Sequence, residues 1–269
     1  YNFHWQSTGF EAPRFMPNVI VTSFVAEAMW RGFLATGEER FKEATLGAIR
    51  FICEDLPKLV DEEDCICVGY VPTERPFVVV NVNAVSAGLM IKVWKATGDE
   101  ALRKRAEAQL NFVERARTKY DAWFYTHPAG DSPIRHDNYH TGGILDGILD
   151  FVEATGDEAW RGTYQRGLAF YKSALFEADG APRWMNDARY PHDVHGAAQG
   201  MITFARAKDF EMAEKIYRWA RANLRRKDGS WSYQIGKSWL TTRRYTLMRW
   251  CNAWMCHAMA TLLAHLPQD

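Results

Sequence analysis

Apolar residues recur along this chain at helical spacing, and strand-like alternation is confined almost entirely to residues 77–80. Side chains three, four and seven positions apart share one face of an α-helix. The clearest runs are Val25, Met29, Phe33 and Leu34; then Phe41, Ala44, Ala48, Ile49 and Ile52; then Leu89, Val93 and Trp94; and then Leu102, Ala106, Leu110 and Val113. The pattern predicts an all-α chain of about nine amphipathic helices.

A short turn motif repeats between these runs. It reads ATGEE at residues 35–39 and ATGDE at residues 96–100 and 154–158, with a degenerate copy, AKDFE, at residues 207–211. The first three copies start at residues 35, 96 and 154, so the intervals are 61 and 58 residues. Glycine suits the left-handed end of a helix, and acidic residues suit the first turn of the next. A period near 60 therefore predicts a repeat of helical hairpins.

The other connections are long and rich in aromatic, Arg, Asn and Pro residues. They cover residues 1–17, 65–77, 122–136, 181–192 and 228–246. In a hairpin repeat, short turns and long loops lie at opposite ends of the helices, and long polar-aromatic loops are typically binding surfaces. Helices that follow the long loops carry small residues on one side, such as Gly142, Gly143 and Gly147, which suits a closely packed inner ring.

These features predict one (α/α) toroid domain over residues 1–269, built from about five to six hairpins, with the inner-helix N-termini converging at one mouth. Four hairpins and an unpaired last helix (246–264) are recognisable. We therefore expect either that a hairpin partner precedes Tyr1 or that the ring is partial.

Charge, hydropathy and cysteine content narrow the class of protein. Lys and Arg number 33, as do Asp and Glu, so there is no global basic field to attract nucleic acid. No apolar run reaches the roughly 20 residues that a membrane span needs, and no signal peptide is recognisable. The five cysteines form no paired CxxC units, which is typical of reduced thiols. We expect a cytoplasmic protein without a cofactor, and the sequence leaves its oligomeric state open.

Residues 136–140, HDNYH, resemble the zinc-protease pattern HExxH with aspartate in place of glutamate. A zinc helix needs both histidines on one helical face. Here Asp137 is the expected N-cap, so His136 lies outside the helix and need not point where His140 points. No third ligand is marked downstream. We therefore predict no metal site.

Two helix starts combine carboxylate and imidazole groups. Asp137 precedes His140 by three residues, and Asp193 precedes His195 by two. Capping alone would explain each aspartate, but a cap needs no histidine just inside the helix. The spacing places acid and imidazole side by side, where the helix dipole favours the anion and lowers the pKa of a nearby imidazole. We predict Asp137, Tyr139, His140, Asp193 and His195 as catalytic residues.

The same loops and helix starts provide candidate substrate-binding residues. Aromatic rings stack on the apolar faces of sugars, while Asn, Gln and Arg bond hydroxyl and carboxylate groups; some of these aromatics could equally form cores of the loops themselves. Loop arginines and Lys237 suit a carboxylated, sulfated or phosphorylated ligand. The predicted binding residues are Trp5, Gln6, Asn18, Asn81, Asn83, Tyr70, Trp184, Tyr190, Gln199, Tyr233, Arg244, Arg249 and Trp250.

Several segments together resemble a known family. They are FHWQ (3–6), PNV (17–19), DNYHTG (137–142), YPHDVHGAAQ (190–199), MRW (248–250) and AWM (253–255). They resemble VpsJ-like bacterial polysaccharide biosynthesis proteins, which implies an (α/α) toroid working on exopolysaccharide or O-antigen. Residues 137–141 are also similar to the DYHT segment of heparosan glucuronyl C5-epimerases, with an additional Asn. That similarity implies Tyr139 as a catalytic residue.

The sequence thus favours a carbohydrate-active enzyme that processes a bacterial surface or acidic polysaccharide. Epimerase, lyase and glycoside hydrolase chemistry all stay open. A non-catalytic glycan-binding or assembly subunit is the alternative. A terpenoid-type toroid enzyme is suggested only by DGSW at residues 228–231, without the Asp-rich cluster that it would need.

Overall fold

The computed structural model of the protein describes residues 13–73 and 78–267. This part of the chain contains nine α-helices, and four short strands form two small antiparallel pairs, β1 with β2 and β3 with β4. The prediction of an all-α chain of about nine helices is confirmed. The elements are α1 (Val19–Thr36), α2 (Glu39–Arg50), β1 (Lys58–Asp61), β2 (Ile66–Val68), α3 (Val80–Thr97), α4 (Glu100–Arg115), α5 (Asn138–Thr155), α6 (Glu158–Ala174), β3 (His192–Asp193), α7 (Val194–Arg206), α8 (Phe210–Asn223), β4 (Gln234–Ile235) and α9 (Trp254–His265).

Three short segments add other helical geometry. A π-helical turn, Phe51–Asp55, continues α2, and a second, Met248–Ala253, leads directly into α9. A single 3₁₀ turn, Ala129–Asp131, lies in the loop before α5. The predicted last helix therefore exists, and its first turns are π-helical.

The repeated turn motif joins the helices of each pair as its chemistry predicts. Gly37, Gly98 and Gly156 have φ of 71°, 73° and 74°. Their N–H groups donate to carbonyls of the preceding helix at 2.7, 2.7 and 2.8 Å. The threonine of each motif adds a further bond, because its hydroxyl accepts from the backbone N–H two residues on. Each motif thus closes one helix and starts the next within a few residues.

The degenerate fourth copy keeps this conformation without glycine. Lys208 has φ 61°, a left-handed value that is uncommon for a residue with a Cβ. Asp209 then caps α8 by accepting a hydrogen bond from the Met212 N–H at 3.2 Å, and the Lys172 ammonium lies 2.5 Å from its carboxylate. The cap and the ion pair hold a turn whose backbone is strained.

The chain divides into two compact units. Unit 1 comprises residues 1–119, 123–133 and 146–165, and unit 2 comprises residues 120–122, 134–145 and 166–269. The expectation of a single domain over 1–269 stays a prediction.

In unit 1, helices α1 and α4 both pack on α3, and α2 packs on α1. An ion-pair network crosses this core. The Lys92 ammonium of α3 lies 3.0 Å from Glu27 of α1 and 2.7 Å from Asp150 of α5. Burial raises the pKa of Glu27, but Lys92 and Arg31 outweigh it and lower that pKa to about 2. Gly147 of α5 permits close packing on α3, since a Cβ there would lie 2.7 Å from the Ala84 carbonyl carbon and closer still to its oxygen.

Unit 1 also contains a feature that the sequence pattern missed. Strands β1 and β2 form an antiparallel hairpin, and the side chain of Asn83 ties it to α3. The Asn83 Oδ1 accepts from the Val68 N–H at 2.9 Å, and its amide donates to the Val79 carbonyl at 3.2 Å. Of the strand-like segment 77–80, Phe77 lies outside the described residues, Val79 pairs with Thr126 in an isolated antiparallel bridge, and Val80 is the first residue of α3.

In unit 2, α7 packs against both α8 and α9. Two glycines, Gly142 and Gly200, leave room for neighbouring side chains to pack closely against their helices. A Cβ at Gly142 would meet the Gln199 side chain and lie 2.9 Å from the Tyr171 hydroxyl, and one at Gly200 would lie 2.5 Å from the Phe176 ring. Strand β3 runs directly into α7 and pairs with β4, so that His192 faces Ile235 and Asp193 faces Gln234.

One described helix, α1, is long and apolar enough by composition to cross a membrane. Core helices of soluble proteins pass the same test. The sequence expectation that no segment spans a membrane thus has this one weak exception.

Candidate active site

Unit 2 brings all five predicted catalytic residues and several predicted binding residues to the starts of α5 and α7. Asp137, Tyr139 and His140 lie at the start of α5, and Asp193 and His195 at the start of α7. The loop before α7 lies along the start of α5, since the Asn138 N–H donates to the Trp184 carbonyl at 3.2 Å. Trp5 and Gln6 lie outside the described residues.

The predicted carboxylate–imidazole pair is present at α5. His140 Nδ1 donates to Asp137 Oδ2 at 2.8 Å, and the same oxygen accepts weakly from the His140 N–H at 3.4 Å. Asp137 therefore caps the helix and also fixes the ring. Its side chain is 1% exposed, whereas that of His140 is 18% exposed. Because Nδ1 carries the proton that faces the carboxylate, Nε2 is the basic nitrogen of the neutral ring.

Aromatic rings pack around this pair, and we call Tyr139, Trp184, His195, Trp250 and Trp254 the aromatic cluster. The Tyr139 ring stacks on His195 with centroids 4.6 Å apart and planes 7° apart. Tyr139 also contacts the ring of His140 at 4.4 Å, Trp184 at 5.9 Å and Trp250 at 5.4 Å. Such a cluster provides flat apolar faces beside a proton-transfer group.

Trp254 belongs to this cluster but was not predicted as a site residue. Its ring lies 4.2 Å from that of His195. The sequence contains a signal for it, since Trp254 follows Trp250 by four residues and thus lies on the same face of a helix.

The second predicted carboxylate–imidazole pair is not formed. The Asp193 Oδ1 accepts from the His195 backbone N–H at 2.7 Å and from the Trp250 indole N–H at 3.0 Å. The His195 Nδ1 is buried and makes no hydrogen bond within the described residues. With two residues of spacing at this helix start, the carboxylate reaches the backbone N–H of His195 rather than its imidazole, and the Trp250 indole donates to the same oxygen.

Burial rather than the helix dipole determines the protonation of both groups. Burial raises the pKa of Asp193 from 3.8 to about 7, although the bonds from His195 and Trp250 lower it. Burial thus outweighs the hydrogen bonds at the start of α7 that favour the anion. Burial lowers the pKa of His195 well below 6.5, and the nearby His140 lowers it further. The sequence predicted a lowered imidazole pKa, and His195 shows this direction. The main cause is desolvation of the ring rather than the helix dipole.

The remaining predicted binding residues of unit 2 differ in accessibility. Gln199 is buried and donates to the Thr203 hydroxyl at 3.0 Å, so it supports packing rather than a surface. Tyr190 packs on His192 at 4.6 Å. Tyr233 is half-buried, and its ring lies 5.6 Å from Tyr245. Arg249 is exposed, while Arg244 is exposed but donates to the Asn223 carbonyl at the end of α8.

Three of the loop arginines that suggested an acidic ligand face acids of unit 2. Arg135 pairs with Asp187. Arg183 and Arg189 both contact Glu177, at 3.3 and 3.4 Å. These pairs weaken the predicted cluster of positive charge around residues 135–189.

In unit 1, the predicted binding residues are buried. Asn18 caps α1 by accepting from the Val21 N–H at 2.9 Å. Asn81 was predicted to bind substrate from a helix start, but α3 begins at Val80, so Asn81 lies inside the helix, where its Oδ1 is buried and has no partner among the described residues. Asn83 is fully buried against β2 and therefore does not reach a substrate. Burial also raises the pKa of Tyr70 well above 10.

The HDNYH stretch is not arranged as a zinc helix. The His136 ring precedes α5 and packs edge-on against Tyr120 at 5.9 Å and Phe170 at 5.5 Å. Across residues 13–73 and 78–267, no three His, Cys, Asp or Glu side chains come together as metal ligands. The expectation of no metal and no cofactor stays a prediction.

No family model matches this sequence, and no curated protein matches it. Solved structures do match its fold. The chain aligns with a sugar epimerase from a ruminal bacterium at a TM-score of 0.79 and 13% identity, covering 98% of this chain and 75% of that one. An α-mannanase of glycoside hydrolase family 76 from Bacteroides thetaiotaomicron gives 0.69 and 16%, covering 98% and 74%. A D-mannose isomerase gives 0.69 and 11%, covering 93% and 72%. The predicted fold class, an all-α (α/α) toroid of helical hairpins, is confirmed.

Proposed function

We propose that this protein is a carbohydrate-processing enzyme of the epimerase or isomerase kind, in which His140 transfers a proton of the sugar. One observation carries the proposal: a partly exposed imidazole is fixed by a buried carboxylate at 2.8 Å inside a cluster of aromatic rings. A carboxylate at Nδ1 orients the ring, selects the tautomer and stabilises the imidazolium that forms when Nε2 accepts a proton.

Burial favours proton transfer over glycoside hydrolysis. A glycosidase needs two carboxyl groups that flank the scissile bond. Here the side chain of Asp137 is 1% exposed and bonded to His140, and Asp193 is 4% exposed and bonded to Trp250. Neither carboxyl is placed to touch a glycosidic oxygen, whereas His140 is more accessible. We therefore assign Asp137 as the positioning residue of His140.

The chemistry that fits these groups starts at a carbon next to a carbonyl. Nε2 of His140 takes the proton from that carbon of the open-chain sugar, and the electron pair moves into the carbonyl to give an enediolate. If water protonates the opposite face of the same carbon and recovers a proton from the His140 imidazolium, the epimer forms. If the hydroxyl proton moves to the enediolate oxygen and the imidazolium protonates the neighbouring carbon, the isomer forms. The aromatic cluster supplies faces on which the sugar ring stacks.

Similar folds support carbohydrate chemistry. Of the three aligned structures, two are a sugar epimerase and a D-mannose isomerase and the third is a glycoside hydrolase family 76 α-mannanase, so the preference for proton transfer rests on the burial of the two carboxyl groups. The resemblance to VpsJ-like proteins extends the proposal to a bacterial surface polysaccharide or its precursor, handled in the cytoplasm. The similarity to heparosan C5-epimerases extends it to a uronate, with Tyr139 as a second proton-transfer group.

A panel of sugars in heavy water tests the reaction class. We would incubate the protein with mannose, cellobiose and uronate-containing oligosaccharides and follow each by NMR. The proposal expects deuterium at the carbon next to a carbonyl, or at C5 of a uronate, together with an epimer or isomer.

Other products would overturn the proposal. A new reducing end without exchange would mean a hydrolase, and a new double bond would mean a lyase. Binding without any chemical change across the panel would mean a glycan-binding subunit.

A further inference from the structure

The C-terminal part of the chain is strongly biased in charge. Between Asp228 and Asp269 there is no acidic residue, while Lys237, Arg243, Arg244 and Arg249 are all basic. The whole protein has no formal net charge, so its other residues are acidic on balance. A bias of this size over 40 residues creates a local positive field.

Much of this bias lies on one ordered hairpin, residues 233–245, which we call the Trp239 hairpin. Its arms are held by paired backbone bonds, since Gln234 N–H donates to Arg243 at 3.1 Å and Arg243 N–H donates to Gln234 at 2.9 Å. Side-chain bonds hold the tip, where the Thr242 hydroxyl donates to the Ser238 carbonyl at 2.8 Å and accepts from the Gly236 N–H at 3.1 Å.

The tip presents a large aromatic side chain to solvent. Trp239 is 83% exposed and Leu240 is 74% exposed, although the backbone around them is hydrogen-bonded. Lys237 and Arg243 of the same hairpin are also exposed, and neither forms an ion pair with the described residues. Trp239 and Leu240 thus form an exposed apolar patch on a fixed turn, rimmed by polar residues, and such a patch indicates a contact with another molecule.

The hairpin starts at the candidate site. Its strand β4 pairs with β3, so Gln234 lies opposite Asp193. The Val194 N–H donates to the Tyr233 carbonyl at 3.0 Å, and the Tyr233 ring packs on Tyr245. Burial, and after it the nearby Asp193, raise the pKa of Tyr233 to about 12, while Arg243 lowers it. Trp239 follows Ile235 by four residues, so its Cα lies at most about 14 Å from that of Ile235.

We propose that the Trp239 hairpin is an outer subsite for an anionic glycan chain that continues from the active site. Trp239 stacks on a distal sugar, and Lys237 and Arg243 bind its carboxylate, sulfate or phosphate groups. This proposal rests on the proposed function, because it makes the substrate a charged oligomer or polymer rather than a free monosaccharide.

The same features could suit an anionic membrane surface, but continuity with the site favours a glycan. The pairing of β4 with β3 and the bond from the Val194 N–H to the Tyr233 carbonyl join the hairpin to the start of α7, where Asp193 and His195 lie. At the tip, the two exposed apolar residues are flanked by hydroxyl-bearing Ser238 and Thr241. The exposed Tyr245, Leu247 and Met248 lie outside the tip, so the tip itself offers only two apolar side chains for insertion into a membrane.

Equilibrium binding of uronic acid oligomers tests the subsite without requiring turnover. We would measure the affinity for a short and a long oligogalacturonate, and for a neutral cello-oligosaccharide matched in length to the long one. Trp239→Ala should weaken binding of the long acidic oligomer about threefold to tenfold, the effect of losing one aromatic contact. It should leave the short one unchanged, and Trp239→Phe should restore part of the loss.

The basic residues have a matched control. Lys237→Ala with Arg243→Ala should weaken binding of the long acidic oligomer at low salt, and the difference should shrink at high salt. Lys104→Ala with Arg221→Ala removes two other exposed basic residues and should change nothing. The proposal fails if the hairpin variants bind the long acidic oligomer as tightly as wild type. It fails equally if they lose instead the binding to vesicles of phosphatidylglycerol and phosphatidylcholine.

These outcomes separate the subsite from the reaction. If no sugar in the heavy-water panel exchanges but the hairpin variants lose oligomer binding, the proposed reaction fails and the subsite stands. If exchange occurs but the affinity is independent of Trp239, Lys237 and Arg243, the subsite fails and the reaction stands.

Discussion

Asp193 shows how a single buried residue departs from its ordinary chemistry. Its carboxyl accepts from a backbone N–H and from the Trp250 indole, and these bonds stabilise a carboxylate. Burial outweighs both and raises its pKa to about 7. Asp193 is therefore protonated in mildly acidic solution, where an exposed aspartate would be ionised.

Because the pKa of Asp193 is raised, we expect the free energy of unfolding to depend on pH, and replacing Asp193 measures that dependence. A group whose folded-state pKa is raised stabilises the protein fully below its unfolded-state pKa, and that contribution is lost as the pH rises through the folded-state value. For Asp193 the loss runs from about pH 4 to about pH 7. Asn in its place keeps an acceptor oxygen for both donors and carries no charge at any pH.

We compare the free energies of unfolding of wild type and Asp193→Asn. The wild-type value minus the variant value should fall by on the order of 4 kcal/mol between about pH 4 and about pH 7, at about 1.4 kcal/mol per pH unit. Urea denaturation at several pH values measures it. The pH dependence of groups that do not interact with Asp193 cancels in the difference, and Tyr233 and Cys251, whose pKa values Asp193 raises, titrate above this range. A difference that stayed constant or rose with pH would show that Asp193 is ionised in the folded protein.

Sequence spacing predicted one of the two acid–imidazole pairs. Asp137 and His140 are three residues apart, and at a helix start this spacing brings both the backbone N–H and the ring to the carboxylate. Asp193 and His195 are two apart, and only the N–H reaches it. Trp250, the other partner, follows 57 residues later, and no local pattern indicates such a contact.

At the scale of elements, the turns were predictable because their chemistry is local. Gly37, Gly98 and Gly156 each show the left-handed conformation that the motif predicts. The start of α3 and the hairpin of β1 and β2 were missed. Three- and four-residue strands give too short a pattern to recognise, and the bond from Val68 to Asn83 that holds β2 joins positions 15 residues apart.

Gly147 gives a prediction about how elements pack. A Cβ at this position would collide with the backbone carbonyl of Ala84, which cannot rotate away as a side chain can. The added methyl group of Gly147→Ala should therefore push α5 away from α3 and lower the free energy of unfolding by about 1–3 kcal/mol. Gly130→Ala, at a glycine with no atom within 4 Å of a new Cβ, is the control for thermal or urea denaturation. Equal stability of the two variants would contradict the packing described for unit 1.

At the scale of the whole molecule, the repeat predicted the fold class although sequence identity to the aligned structures is only 11–16%. A hairpin repeat constrains where short turns, long loops and small residues occur, and that pattern survives when most residues change. The residues that contact a substrate are not constrained in this way. Asn18, Asn81 and Asn83 follow the predicted helix-start pattern, yet their buried positions serve capping or packing rather than an open surface.

The central claim is that His140, held by Asp137, transfers the proton of the sugar. The initial rate of deuterium incorporation from heavy water, with a sugar that wild type exchanges, tests it most directly. His140→Gln should lower that rate about 10²–10⁴-fold, the usual contribution of a general acid–base group. His265→Gln, which changes an exposed histidine at the end of α9, should leave it unchanged. A His140→Gln rate within a few fold of wild type, in a variant that folds normally, would contradict the assignment.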